Sequence, residues 1–190
     1  KDGVAERNWL EGEVGVEEIV ALLKDGDPNG IEGAAWGSAL SQADLEDVAA
    51  FIEGVRDGGL AHPEKIWTLS AGTPGHYVLN AGANVANGHA LIADRCAGCH
   101  GDDATEIKFD DGKYTLGSHA RQKAYEDWAK LLSGHPGSDM ERQLTGDGAQ
   151  MSQEALDILA ALCDRTKYPA TSASGGDVPD GDPRCGTYLK

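Results

Sequence analysis

Cys96, Cys99 and His100 stand in the order Cys-Ala-Gly-Cys-His, and that order suits one chemistry. Two thiols at this spacing can add across the two vinyl groups of a porphyrin. A histidine directly after the second is then placed beneath the iron as proximal ligand. This is the attachment signature of c-type haem. A single such motif in 190 residues predicts one covalent haem c per chain. Two other uses of the cysteine pair compete. A thioredoxin-like redox pair sits near a βαβ pattern, and none is read here. A zinc half-site needs a second ligand pair at close spacing, and the remaining cysteines, Cys163 and Cys185, lie far apart. Haem attachment of this kind takes place outside the cytoplasm. The chain is therefore expected to be periplasmic or otherwise extracytoplasmic, where Cys163 and Cys185 should form a disulfide.

A helix is expected over residues 84–95, with Val85, His89 or Ala90, and Ile92 along one side, running straight into Cys96. Gly88 lies eight positions before Cys96, and Gly101 follows His100. In these residues the sequence resembles the class I cytochrome c family, over roughly residues 83–166. The resemblance implies an all-α fold, a small helical cage around haem, in which a C-terminal helix crosses the first helix closely at Gly88. The family often has a Gly-Pro loop whose backbone carbonyl holds the free N–H of the proximal histidine. Here the loop reads Gly112-Lys113-Tyr114-Thr115-Leu116-Gly117, without proline. The acceptor for His100 is expected among the backbone carbonyls of residues 112–116.

Four residues are candidates for the sixth iron ligand: Met140, Met151, His119 and His135. Met140 lies 40 residues after His100, between two expected helices, where the family places its distal methionine. The segment from His135 to Met140 resembles the family's Pro-Gly-x-x-Met loop, so Met140 is taken as ligand and His135 as its rival. Met151 precedes Ser152, an expected N-cap, and has a structural explanation as a hydrophobic staple. His119 follows His100 too closely to cross the haem. Methionine–histidine ligation is a standard option, and a thioether donor raises the potential. With both faces of the iron occupied, the expected role is electron transfer, as a shuttle or as the non-catalytic cytochrome subunit of an oxidoreductase complex. The alternative is a haem enzyme or gas sensor with an open sixth site. Trp128 and Tyr125 could reach a haem propionate or sit in the core. Arg121 and Lys123 could neutralise the haem propionates, but are expected to be solvated.

The elements around this centre suggest a duplication. Ser41 and Ser152 each open an expected helix with matching apolar offsets: Leu45, Val48, Ala49 and Ile52 in the first, Leu156, Leu159, Ala160 and Cys163 in the second. Upstream, Ile19, Leu22 and Leu23 parallel Trp128, Leu131 and Leu132, and Ile31 falls where Met140 does. The expected organisation is a degenerate, haem-free partial repeat over residues 1–57, a connector over 58–82, the haem domain over 83–166 and a tail over 167–190. No cysteine precedes Cys96, so residues 1–57 offer no covalent attachment; the alternative is a longer natural chain whose first haem lies upstream of Lys1.

Net charge is −16, with −10 over residues 1–95 and −6 over residues 96–190. Phosphate backbones need Lys and Arg, so nucleic acid is excluded as a partner. The balance favours a redox partner with a basic docking face, or a salty medium; the plainer alternative is a solvated acidic surface with no specific partner. No apolar run is long enough to span a membrane. The chain starts at Lys1 with a polar segment, and is expected to be a mature or trimmed form.

Overall fold

The computed structural model describes residues 15–26, 35–71, 76–135, 137–170, 177 and 188–189. The chain divides into two compact units, Lys1–Leu60 and Ala61–Lys190.

The first unit holds α1 (Val16–Asp25) and α2 (Gln42–Arg56), packed on each other. Glu17 and Glu18 in the first turn of α1 and Lys24 in its last complement the helix dipole. Gly26, at φ 77°, ends the helix. The chain then returns against α1: the N–H groups of Trp36 and Gly37 donate to the Leu23 and Lys24 carbonyls at 2.8 and 3.0 Å. Ser41 starts α2 through a reciprocal capping box with Asp44, as its sequence position predicts. The core of the pair is Ile19, Leu45, Ala49 and Val55. Ile31 lies outside the described residues.

The second unit is mostly helical but not purely α. It opens with a short helix, α3 (Pro63–Ile66), then β1 (Trp67–Leu69) and β2 (His76–Leu79). These strands pair antiparallel with Trp67 opposite Leu79, and β3 (Tyr188–Leu189) adds to β2 with Tyr188 opposite Tyr77. The segment expected to be a connector thus contains a hairpin. Its Gly/Pro-punctuated middle separates two short runs of β-branched and aromatic residues. The expected tail supplies the third strand.

Four helices follow: α4 (Val85–Arg95), α5 (Ala97–His100), α6 (Leu116–Ser133) and α7 (Gly148–Ala161). Asn84 caps α4, its Oδ1 accepting from the Asn87 N–H at 3.1 Å. Thr115 and Ser118 form the capping box of α6, which kinks at Lys123. The expected cap at Ser152 is not found. Asp147 caps α7 instead, accepting from the Gln150 N–H at 3.0 Å. Aspartate caps as well as serine does, so the helix begins earlier and runs through Ser152. The Ser152 hydroxyl accepts from the His62 N–H at 2.8 Å, and Met151 is core at 2% exposure rather than a staple before the helix.

α4 and α7 cross where the resemblance predicts. A Cβ on Gly88 would stand 2.0 Å from the Asp157 carbonyl oxygen, so only glycine permits this approach. Around the crossing, the Asn84 N–H and the Asn87 amide donate to the Asp157 carboxylate at 2.7 and 2.8 Å.

Candidate functional site

Cys96 ends α4 and begins α5. Its N–H donates to Ile92, and its carbonyl accepts from Cys99 and His100 at 3.2 and 2.9 Å. One turn therefore carries both thiols and the imidazole. Gly101, at φ 81°, reverses the chain directly after it, in a conformation that favours glycine. His100 is buried, and burial holds its imidazole below the usual range. Burial thus favours the neutral ring, which has a lone pair to donate. Burial likewise pushes the Cys96 thiol up to about 11, with Arg95 opposing and Cys99 reinforcing.

Two cavities meet at this turn. A cleft of about 340 Å³ is lined by Arg95, Cys96, Cys99, His100, Ile107 and Met140 among others. A small recess of about 30 Å³ lies against Ile92, Phe109, Leu116, Leu131, Ile158 and Leu162. Cys96, His100 and Met140 line both. Met140 is half-buried on the loop between α6 and α7. The His135 N–H donates to the Met140 carbonyl at 2.9 Å, and Gly134, at φ 79°, allows that closure: a Cβ there would stand 2.5 Å from the same oxygen. His135 itself is exposed and lines neither cavity.

The residues present fit a haem. Thiols, a neutral imidazole and a thioether surround one apolar-walled cleft. Among the described residues no three His, Cys, Asp or Glu side chains converge as a metal site. The described residues thus offer a bare ion no ligand set, whereas a porphyrin brings four nitrogen donors of its own. The zinc reading of the cysteine pair likewise has no second ligand pair among the described residues.

Other expectations need correction. The Nδ1 of His100 is buried without a hydrogen-bond partner among the described residues, so the acceptor expected in residues 112–116 is not there. Phe109 instead stacks on the His100 ring, with centroids 5.9 Å apart. Arg121 is not solvated. It is fully buried, donating to the Leu162 and Tyr168 carbonyls at 2.8 and 3.0 Å and pairing with Asp177. Lys123 pairs with Asp110 at 2.6 Å. Trp128 packs edge-on against Trp67, and Tyr125 is exposed. His119 is buried in a carboxylate pair, its Nδ1 3.0 Å from both Asp127 oxygens. Burial pushes the Asp127 carboxyl above its ordinary range, against the His119 hydrogen bond. No signal in the sequence marks this pair: eight residues span about 12 Å of a straight helix, and the two side chains meet only because α6 kinks at Lys123, between them. Cys163 lies just beyond α7 and Cys185 outside the described residues, so the expected bridge between them has no described geometry.

No family profile matches this chain, and no solved structure matches it. The chain is similar to a thiosulfate dehydrogenase of Psychrobacter arcticus, with 30% identity over 102 residues. That stretch covers 52% of this chain and 31% of the relative, so the match spans about a third of the relative's length. The likeness is distant, and the relative's name is that of a redox protein. No described helix is long and apolar enough to cross a membrane.

Proposed function

We propose that this chain carries one haem, bound covalently through Cys96 and Cys99 and ligated by His100 and Met140, and that it passes single electrons between redox proteins. The observation that carries the reading is the convergence of these four side chains on one cleft. When bound, the haem supplies a one-electron iron couple. The protein's part is to hold and tune it. His100 offers a neutral imidazole, and Met140 a soft sulfur that favours the reduced metal. The apolar recess of Ile92, Phe109, Leu116 and Leu131 keeps water away from the ring. The distant similarity to a redox protein supports electron transfer by a haem protein.

In this reading the chain is not itself an enzyme. It is a shuttle or a subunit of an extracytoplasmic oxidoreductase complex, and its net charge of −16 favours a basic face on the partner. The same reading takes residues 1–57 as a partial copy of the module, on the matching apolar spacing of the helices after Ser41 and around Ser152, and as haem-free because no cysteine precedes Cys96. The Cys163–Cys185 disulfide belongs to the same reading. The relative's name, a dehydrogenase, supports a second one: a haem enzyme with an open sixth site.

The test is a set of spectra on the haem-loaded protein. A pyridine haemochrome assay should give one haem per chain. The oxidised protein should show the weak near-infrared sulfur-to-iron band of methionine ligation. Met140→Ala should abolish that band and lower the reduction potential. A high-spin spectrum in the unaltered protein would favour the open-site enzyme. A spectrum insensitive to Met140→Ala but altered by His135→Ala would give the sixth position to His135.

A further inference from the structure

Met140 reaches the cleft on a loop between Gly134 and Thr145, and three sets of bonds hold that loop. It closes on itself through the His135 N–H and the Met140 carbonyl, 2.9 Å. It hangs on α6 through the N–H groups of Gln143 and Leu144, which donate to the Leu131 carbonyl at 2.9 and 3.2 Å. The third set comes from Arg95, the last residue of α4 and the neighbour of Cys96. Arg95 Nη1 donates to the Gln143 carbonyl at 2.7 Å and to Glu154 Oε2 at 2.7 Å. Its Nη2 reaches Glu154 Oε1 at 3.2 Å and Thr145 Oγ1 at 3.4 Å.

Glu154 stands on α7 and is 6% exposed. Besides the guanidinium it accepts from the Thr145 N–H at 3.0 Å, the Thr145 hydroxyl at 2.9 Å and the Gln150 amide at 3.1 Å. Burial opposes its ionisation, but Arg95, Gln150 and Thr145 outweigh that and hold the carboxyl at about 2. One charged fork thus joins the end of the attachment helix, the C-terminal helix and the strand of loop just beyond Met140. A two-pronged guanidinium–carboxylate pair fixes orientation as well as distance.

We propose that Arg95 is a positioning residue for the sixth iron ligand: its fork to Gln143 and Glu154 holds the Met140 loop closed beside the Cys96–His100 turn, and so sets how often the sixth position opens to an outside ligand. The inference rests on Met140 being that ligand. An outside ligand binds only the open form, so its apparent affinity scales with the open fraction. Removing Arg95 leaves the buried Glu154 carboxylate without its cation, which costs the closed form most.

The experiment titrates imidazole into the oxidised, haem-loaded protein and follows loss of the near-infrared sulfur–iron band. Arg95→Ala and Glu154→Gln should each bind imidazole about tenfold more tightly than the unaltered protein. Arg95→Lys, which keeps the charge without the fork, should fall between. Asn87→Ala is the control, because it breaks an α4–α7 hydrogen bond away from the loop. It should lower the urea midpoint and leave imidazole binding unchanged. Should Arg95→Ala prevent haem attachment, Glu154→Gln decides alone, since it leaves the segment around Cys96 intact. Unchanged imidazole affinity in Glu154→Gln overturns the proposal, as does equal tightening in Asn87→Ala. If Met140→Ala leaves the band unchanged, the ligand assignment fails and this inference with it. If Met140→Ala removes the band while Glu154→Gln behaves like the unaltered protein, only the role of Arg95 is lost.

Discussion

α2 and α7 begin from similar sequence patterns and meet different fates. Each has apolar residues at helical spacing and a side-chain cap at its start. Yet α2 buries only Leu45, Ala49 and Val55, and its Val48, on the expected apolar face, is 38% exposed. α7 buries residues all around its axis, including Ser152, Glu154 and Asp157. The difference lies in the neighbours. Among the described elements α2 packs against α1, whereas α7 packs against α3, α4 and α6. Spacing tells which helices are amphipathic; the number of elements that arrive decides how much of each is covered. A helix surrounded on several sides can hold buried polar groups, because those neighbours bring their partners.

The largest effect that would break this comparison concerns packing. Leu159→Ala, at a fully buried position of α7, should cost about 2–5 kcal/mol, while Val48→Ala in α2 should stay within about 0.5 kcal/mol. Urea unfolding of the haem-loaded protein by far-ultraviolet circular dichroism measures both. Similar losses at the two sites would show that α2 has a cover beyond α1.

A smaller effect comes from glycines inside helices. Gly88→Ala in α4 pushes a methyl group against the Asp157 backbone and should cost about 1–3 kcal/mol. Gly54→Ala in α2 meets only the end of the Leu60 side chain, which can turn aside. The gain in helix propensity, about 1 kcal/mol, should leave that variant close to neutral. Thermal melts of the pair check the contrast.

The smallest effect is the pH dependence of two carboxylates. Glu154 is held at about 2, below its ordinary 4.5. Its contribution is therefore complete above about pH 4.5 and is lost as the pH falls towards 2. The urea midpoint read at the haem absorbance should decline over that window, and less steeply in Glu154→Gln. Asp44 in α2 is also lowered, by its bonds to Ser41, but it is fully exposed. Asp44→Asn should leave the acid slope almost unaltered.

Local signals carried much of this molecule. Cys96, Cys99 and His100 announce themselves by order, Ser41 by capping chemistry, and Gly88 by the resemblance to a family with a glycine at that place. Signals that depend on a remote partner were silent. Ser152 looks like a cap, but Asp147 starts the helix earlier, and the freed hydroxyl serves a remote group, the His62 N–H. Trp67–Leu69 and His76–Leu79 are too short to stand out as strands, and β3 joins them from the far end of the chain. Arg95 reads as an ordinary last-turn cation until Gln143 and Glu154 close around it. Arg121 reads as solvated until Asp177 and two carbonyls enclose it.

The bare crossing at Gly88 has a consequence for how the chain closes. Asn87 and Asp157, which bond beside it, are 70 positions apart. Bringing together the ends of a loop of that size costs roughly 4 kcal/mol of chain entropy before any contact rewards it. Cys96, Cys99, His100 and Met140 all lie inside that loop. The cleft is thus the interior of one long circuit of chain, fastened at a point where a helix has no side chain. Contacts this distant in sequence form slowly, so the circuit is completed only when α7 docks. Gly88 governs whether that docking can happen, although it touches none of the four side chains the circuit encloses.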